Sequence, residues 1–262
     1  MDARKLGFGI AGAVEHSTIR QVASAAEAAG FATFWLNDTP DGDSLRGLVE
    51  AADVTTSIRL ATGVIPLDRQ DARAILRRCE ELELPASRLL IGVGSGRANP
   101  ALSVVSTEVA RLKQGTAARV FVGALGPRMR ALAVDVADGL LLNMLPVGGA
   151  RQAQADMRAT AESRGRAAIE VALYVRVSLG TAGRARLEQE ALRYEQISSY
   201  AANFARLGVR ATDTAVIGDV PEGIPRGLGP YVDELDEAVI RAITANDRFE
   251  EYQSLIEAIA LD

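Results

Sequence analysis

The sequence predicts an α/β fold, a (β/α)8 (TIM) barrel that forms a single domain over residues 1 to 262. Eight strand-like runs alternate with helical patterns along the 262 residues, and such alternation implies a parallel sheet. A closed barrel of this kind typically needs about 250 residues. Because no linker or low-complexity segment divides the chain, eight units in this length favour a closed barrel over an open, doubly wound sheet.

The predicted strands are short apolar or β-branched runs. They are Leu6 to Ile10, Phe31 to Leu36, Ile58 to Val64, Arg88 to Val93, Val120 to Val122, Leu140 to Met144, Ile169 to Leu179 and Ala238 to Ile243. The predicted helices have apolar residues at helical spacing. They are Thr18 to Ala29 after Ser17 as N-cap, Ser44 to about Thr56, Ala72 to Leu84, Val104 to Lys113, a helix from Pro127, Ala150 to Ser163, Arg184 to Leu207, and a last helix to Ile259 capped by Asn246 or Asp247.

One segment lacks a clear pattern. Residues 213 to 233 hold three prolines and four glycines, so short helical turns are expected there instead of one element.

Composition excludes several classes of function. The formal net charge of -5 argues against a nucleic-acid partner, and no apolar run approaches the length of a membrane span. Without an apolar signal core at the N-terminus, the chain is expected to be cytoplasmic. One Cys and one His supply too few ligands for a His/Cys metal site, and no metal is expected. The only lysines, Lys5 and Lys113, lie away from strand ends and do not suit a Schiff base.

The stretch VFVGALGPRMR, residues 120 to 130, predicts a strand, a turn and the start of a helix. Gly123 and Gly126 let a backbone approach a ligand closely, and Pro127 at the first helical position costs no hydrogen bond. The free N–H groups of such a helix end, with Arg128 beside them, suit a phosphate. The same residues would equally serve to shape a tight loop, and this segment alone leaves both interpretations open.

Ligand sites of barrels lie at the carboxyl ends of the strands. That rule selects one candidate mouth, made of Glu15 and His16, Asn37 and Asp38, Thr62 to Val64, Gly94 to Arg97, Gly123 to Arg128, and Asn143. Three of these loops are rich in glycine, so amide groups can line a planar, phosphate-bearing ligand. Glu15, His16 and Asp38 are weak candidates for a general acid or base, although a lone His in a loop is more often solvated.

The motif GVGSGRAN after the fourth strand also invites comparison with a dinucleotide-binding loop. Pro100 prevents a helix from starting directly at its glycines, and no acidic residue ends the next strand. The dinucleotide reading is therefore disfavoured.

At these residues the sequence resembles the bacterial luciferase-like oxidoreductases, a family of flavin- or coenzyme F420-dependent barrel enzymes. The similar segments cover most of the chain: GFATFWLND, IRLATGVIPLDRQ, RLLIGVGSG, VFVGALGPRMRALAVDVADGLLLNML and LDEAVIRAITANDRFEEY. The second of them contains Gly63, which matches the glycine that precedes a backbone bulge under the isoalloxazine ring of that family.

The resemblance implies a cofactor bound at the mouth. Its ring system would meet Asn37, Asp38, Gly63 and Val64, and its ribityl phosphate end would meet Gly94, Ser95, Gly96, Gly123, Ala124, Leu125, Gly126, Pro127 and Arg128, with Asn143 also in the site. An Ala- and Arg-rich composition is typical of high-GC actinobacteria, which make coenzyme F420. We therefore expect F420 in preference to FMN.

The resemblance implies hydride transfer between F420 and a small organic substrate, and a homodimer. With FMN, the reaction would instead be an oxygen-dependent monooxygenation. Family members carry longer insertions at two places where this chain is compact, residues 97 to 116 and 208 to 236. A barrel with shortened insertions that binds the cofactor without catalysis is therefore a further alternative. A phosphosugar lyase or isomerase is disfavoured by the single His and the absence of a strand-end Lys.

Overall fold

The computed structural model describes residues 5–260, which form a closed barrel of parallel strands surrounded by helices. The strands are β1 (Leu6–Ala11), β2 (Thr33–Asn37), β3 (Arg59–Thr62), β4 (Ile65–Pro66), β5 (Leu89–Gly94), β6 (Arg119–Gly123), β7 (Gly139–Asn143), β8 (Glu170–Leu179), β9 (Ala215–Gly218) and β10 (Glu237–Ala242). The helices are α1 (His16–Ala28), α2 (Ser44–Ala52), α3 (Ala72–Glu81), α4 (Ala101–Gly115), α5 (Pro127–Val136), α6 (Val147–Ser163), α7 (Gly180–Glu195), α8 (Ser198–Leu207), α9 (Gly223–Glu234) and α10 (Phe249–Ala260).

Eight strands close the barrel, in the order β1, β2, β3, β5, β6, β7, β8 and β10, and β10 returns to pair with β1. Two short strands lie off this circle. The two-residue β4 follows β3 and pairs with β5, and β9 pairs with the last four residues of β8. The predicted (β/α)8 barrel is thus confirmed, with β8 extending beyond the rim.

The chain buries two apolar layers. One fills the inside of the barrel and consists of Trp35, Ala61, Leu90, Phe121, Leu141, Ala172, Tyr174 and Val239. The other lies between the barrel and its helices and takes the alternate residues of the same strands, for example Leu173 and Val175 of β8. Because side chains of a strand alternate between its faces, membership of the inner layer fixes which neighbouring residues also point inward.

The region from 213 to 233 differs from its prediction, because it contains β9 and the twelve-residue helix α9. Pro225 lies in the first turn of α9, where a missing N–H costs little, whereas Pro230 lies inside the helix. The helix forms because Ile224, Leu228 and Tyr231 bury one apolar face against the barrel. Tertiary packing here outweighs a proline penalty of about 3 kcal/mol.

The prediction of one helix from Arg184 to Leu207 is also wrong, because Gln196 and Ile197 interrupt it and separate α7 from α8. The break lets α7 and α8 fold around a small cluster beside the mouth, in which Ala191 and Phe204 meet Met144 at the end of β7. A helix continuing straight from α7 would not bring Phe204 back to that cluster.

Several helices and strands begin or end at residues other than those predicted. Ser17 and Ser44 are not N-caps, since α1 begins at His16 and the side chain of Asp43 accepts the N–H of Arg46 to cap α2. The last helix begins only at Phe249. The third predicted strand stops at Thr62, the following Gly63–Val64 peptide bond is cis, and β4 begins at Ile65. Among residues 5–260, none of the helices combines the length and the apolar character needed to cross a bilayer.

Candidate functional site

The inner apolar layer determines which side chains line the carboxyl end of the barrel. Because strand side chains alternate between the two faces, the residue two positions after each member of this layer also points inward. Besides Tyr174, which itself belongs to the layer, the residues at these positions are Asn37, Gly63, Gly92, Gly123, Asn143, Arg176 and Arg241. Those from β2 to β6 are glycines apart from Asn37, whereas those from β7, β8 and β10 are polar or charged. We call the first group the glycine half of the mouth and the second the polar half.

The glycine half is built around Val64. Its side chain packs against Gly94 and Gly123, where a Cβ atom would lie 2.9 Å from Val64 Cγ2 and 3.0 Å from Val64 Cγ1, respectively. A side chain at either position would therefore require Val64 to shift. The result is a flat wall of backbone and one aliphatic side chain, which suits one face of a planar ring.

Asn37 lies beside this wall. Its Nδ2 donates a hydrogen bond to Gly63 O at 3.0 Å, whereas its Oδ1 is enclosed and has no partner among residues 5–260. A buried acceptor without a partner is costly and is usually satisfied by a ligand or by water. The edge of a ring system with an N–H group would satisfy it.

Asp38 is occupied by structural contacts. Its Oδ2 accepts the hydroxyl of Ser44 at 2.9 Å, and its Oδ1 forms an ion pair with Arg69. Burial raises the pKa of this carboxyl. These contacts hold the loop after β2 against α2 and against the segment after β4. Because both carboxylate oxygens of Asp38 are engaged, neither is free to accept a proton in the acid–base role predicted for this residue.

The other two acid–base candidates, Glu15 and His16, are exposed at the start of α1. His16 Nδ1 lies 3.4 Å from Glu50 Oε1 on α2. Glu15 is thus the N-cap of α1 and His16 its first residue, and the side-chain partner of His16 lies on α2.

The predicted helix start after β6 is confirmed, since α5 begins at Pro127 with Gly126 as its N-cap. The first amide that bonds within this helix is that of Arg130, which donates to Gly126 O at 3.1 Å. The N–H groups of Arg128 and Met129 are thus available, as at any helix N-terminus. A Cβ atom on Gly126 would meet nothing within 4 Å, and Pro127 and Arg128 are exposed. This end of the mouth is open to an anion.

The loop after β5 is less suited to a phosphate. Gly96 adopts a φ of +57°, a left-handed conformation that favours glycine, and a Cβ atom there would overlap the carboxylate of Asp68. A carboxylate against this loop repels an anion. Two segments were expected to bind the phosphate, 94 to 96 and 123 to 128. The second is the more favourable for an anion, because it offers N–H groups and Arg128 without a nearby carboxylate like that of Asp68.

The polar half contains a buried network that the sequence did not reveal. Arg176 Nε donates to Glu190 Oε1 and Arg176 Nη1 donates to Asn143 Oδ1, each at 2.7 Å. Asn143 Nδ2 donates to the hydroxyl of Tyr200 at 2.8 Å, and the Arg176 guanidinium lies 4.6 Å from the ring centroid of Tyr194. Burial raises the pKa of Tyr200 to about 12. Asn143 is thus at the mouth as expected, but its amide is already engaged on both sides.

Sequence reasoning missed Arg176, Arg241 and the tyrosines beside them. A usable signal was present, because both arginines interrupt otherwise apolar strands. It could be interpreted only with the register of β8 and β10, which tells the inner face from the outer one.

Comparisons with known proteins agree with this architecture. The family model described as luciferase-like monooxygenase matches residues 101–244, more than half of the chain. The coenzyme F420 dependent tetrahydromethanopterin reductase from Methanopyrus kandleri superposes with a TM-score of 0.73 at 15% identity, covering 98% of this chain and 97% of that one. An F420-dependent secondary alcohol dehydrogenase in complex with an F420-acetone adduct gives a TM-score of 0.72 at 13% identity, with coverages of 97% and 98%.

A third similar structure is the monooxygenase RslO1 from Streptomyces bottropensis, with a TM-score of 0.67 at 16% identity and 97% of each chain covered. Comparison with curated protein sequences gave no significant match. Identities this low show the shared fold only, whereas the family model covers the segment from α4 to the residues after β10. The chain belongs to the luciferase-like monooxygenase family.

Proposed function

We propose that this protein is a coenzyme F420-dependent oxidoreductase that transfers a hydride between the deazaflavin and an organic substrate at the mouth of the barrel. The observation that carries the proposal is the wall formed by Val64 between Gly94 and Gly123, where a Cβ atom on either glycine would crowd Val64. A flat wall of backbone and one short aliphatic side chain admits a planar tricyclic ring at van der Waals distance. The residues present therefore fit the cofactor that the family resemblance implies.

In this proposal the ring lies against Gly63 and Val64, with Asn37 Oδ1 accepting a hydrogen bond from the ring edge. Asp38 supports this edge through Ser44 and Arg69. The anionic end of the cofactor lies at segment 123 to 128, where the N-terminus of α5 and the exposed Arg128 offer N–H groups and positive charge. Segment 94 to 96 contributes backbone beside the ring.

The bound cofactor would supply the hydride chemistry, and the chain supplies binding, orientation and exclusion of water. The glycine half fixes one face of the ring, and the aromatic side chains of α7 and α8 enclose the polar half. Tyr194 and Tyr200 contact each other with ring centroids 4.7 Å apart. A substrate would thus meet the ring between a flat wall and a polar, largely dry surface.

Titration of the purified protein with F420 and with FMN, followed by cofactor fluorescence, tests the assignment. We expect saturable binding of F420 and much weaker binding of FMN. The F420-dependent proteins with a similar fold support this order. Tight FMN binding without F420 binding would replace the proposal with a flavin-dependent monooxygenase, and binding of either cofactor without turnover of any substrate would indicate a barrel that has lost catalysis.

A pair of variants tests the proposed phosphate contact. Arg128→Gln should weaken F420 binding by about tenfold, since a charge-assisted hydrogen bond contributes roughly 1.5–3 kcal/mol. Arg158→Gln is the matched control, because Arg158 is also exposed but lies on α6. Equal affinities for the two variants would remove segment 123 to 128 from the site.

The proposal also includes a cytoplasmic location, expected from the N-terminal sequence, and a homodimer that acts on a small organic molecule, as the family resemblance implies. Sedimentation equilibrium of the purified protein measures the assembly. A single species with the mass of one chain at micromolar concentration would contradict the homodimer and leave the cofactor assignment intact.

A further inference from the structure

The polar half of the mouth places two arginines side by side. Arg176 of β8 and Arg241 of β10 are direct partners in the register of the two strands, which lie about 4.8 Å apart in any sheet. Both point inward, because each lies two residues beyond a member of the inner apolar layer, Tyr174 and Val239 respectively. Like charges at directly opposed positions destabilise a sheet. Their presence calls for a compensating negative charge.

The protein provides only part of that charge. Glu190 binds Arg176 at 2.7 Å, while Arg241 forms no ion pair with any residue from 5 to 260 and donates Nη1 to the carbonyl of Ala242. The carboxylate after β10, Asp247, is already bound by Arg186 at 2.6 Å and by the Tyr252 hydroxyl. Arg241 also attracts both of these carboxylates, so three arginines, Arg176, Arg241 and Arg186, share the two carboxylates of Glu190 and Asp247.

Hydrogen-bond donors also remain unused at this place. Arg176 uses Nε and Nη1 for Glu190 and Asn143, and its Nη2 has no partner among residues 5–260. The hydroxyl of Tyr174, one inward position below Arg176, is also buried without a partner, but it lies against Gly63 in the glycine half and is not part of this place.

We propose that Arg176 and Arg241 form a subsite for the carboxylate group of an organic substrate. Guanidinium groups bind carboxylates with two parallel hydrogen bonds, which fixes orientation as well as charge. The proposal rests on the proposed function in one respect: the glycine half holds the cofactor ring, so a carboxylate held by the polar half directs the rest of the substrate toward that ring. The subsite itself depends only on residues of this chain.

The test uses carboxylates of three sizes as probes, each with its neutral amide as a matched control: acetate with acetamide, benzoate with benzamide, and octanoate with octanamide. Binding to the full chain is measured by isothermal titration calorimetry, both without cofactor and with saturating F420. Three variants are compared with the unmodified protein. Arg241→Gln removes the charge, Arg241→Lys keeps the charge but not the planar fork, and Arg77→Gln on the exposed face of α3 is the control.

We expect at least one carboxylate to bind about tenfold or more tightly than its amide, in keeping with the strength of charge-assisted hydrogen bonds. Arg241→Gln should weaken that binding by at least about tenfold, Arg241→Lys by less, and Arg77→Gln should not change it. The affinity for F420 should be the same in all variants, because the cofactor is assigned to the opposite half.

Three results would overturn the subsite: amides that bind as well as carboxylates, carboxylate binding that persists in Arg241→Gln, or loss of F420 affinity in Arg241→Gln. The last would mean that the arginines hold the anionic tail of the cofactor. The two proposals fail separately. A protein that binds neither F420 nor FMN, yet binds a carboxylate through Arg241, would retain the subsite and lose the oxidoreductase assignment.

Discussion

The hydroxyl of Tyr174 lies where a side chain on Gly63 would begin. A Cβ atom on Gly63 would overlap Tyr174 Oη and would lie 2.7 Å from Tyr174 Cζ. Tyr174 belongs to β8, whereas Gly63 directly follows β3 on a different side of the barrel. Their contact joins the glycine half of the mouth to the polar half, and it sets how far Val64 and its neighbours project into the barrel.

Gly63→Ala should therefore lower the free energy of unfolding by about 1–3 kcal/mol, the usual cost of overpacking a core, and should weaken cofactor binding by displacing Val64. Urea unfolding and F420 titration measure the two effects. Gly148→Ala is the control, because Gly148 lies in α6 with nothing within 4 Å of the added Cβ atom. That variant should be neutral or more stable, since alanine is the better helix former. A Gly63→Ala protein as stable as Gly148→Ala would contradict the contact.

At the amino end of the barrel, the carboxylate of Glu237 is fully buried beneath the inner apolar layer. It accepts hydrogen bonds from Trp35 Nε1 and Arg59 Nη2, each at 2.9 Å. Burial raises the pKa of Glu237 to about 7 despite the nearby Arg59. The neighbouring Glu170 behaves oppositely, because Arg59 and Arg119 overcome burial and lower its pKa.

A carboxyl whose pKa is raised on folding stabilises the protein most below its unfolded pKa and loses that contribution as the pH rises through the folded value. The free energy of unfolding should therefore fall between about pH 4.5 and pH 7 on account of Glu237. The expected size is about 1–3 kcal/mol, given about 1.4 kcal/mol per pKa unit. Because the pKa of Glu170 is lowered, its contribution to the free energy of unfolding changes only below about pH 4.5, outside this pH range.

Urea unfolding at pH 5 and pH 8 of the unmodified protein and of Glu237→Gln tests this expectation. The amide cannot ionise, so the variant should have the flatter pH dependence, while all other titrating groups are common to both proteins. Parallel pH profiles for the two proteins would show that Glu237 keeps an ordinary pKa.

The buried Arg176 leads to a third prediction. Glu190→Ala removes its carboxylate partner, and an unpaired buried charge typically costs about 3–5 kcal/mol. Glu188→Ala on the same helix is the matched control, since Glu188 is exposed and forms no ion pair with any residue from 5 to 260. Thermal or urea unfolding should separate the two variants clearly. Equal stabilities would mean that Asn143 and the Tyr194 ring alone satisfy Arg176.

A fourth prediction concerns Glu27 at the end of α1, whose carboxylate accepts the backbone N–H groups of Thr56, Ser57 and Ile58 before β3. Burial acts against it, but these hydrogen bonds lower the pKa of Glu27 to about 2. A carboxyl with a lowered pKa stabilises the fold above its unfolded value and loses that contribution as the pH falls.

Glu27→Gln should therefore cost about 1 kcal/mol at pH 7, a figure reduced for solvent screening. The difference from the unmodified protein should vanish as the pH falls from about 4.5 to about 2. Glu162→Gln, at an exposed position on α6, is expected to show no such change. A constant difference across this pH range would contradict the lowered pKa.

The alternation of strands and helices could be read from the chain because apolar periodicity is a local property. Every barrel strand was predicted, with ends displaced by only a few residues, and so was the start of α5 at Pro127. The errors occur where distant packing overrides local preference. Helix α9 forms despite Pro230 because one of its faces is buried, and the break between α7 and α8 brings Phe204 to Met144.

The candidate site divides in the same way. Glycines at strand ends and a helix that starts with proline identify the glycine half, because their backbone requirements are visible in the residue type itself. Which carboxylates are engaged, that Asp68 lies against Gly96, and that Arg176 and Arg241 are neighbours depend on the register of strands far apart in sequence. The sequence by itself determined the barrel and the side of it that carries the mouth. Only the tertiary structure decided which charges meet there, because electrostatic partners are set by distance in space.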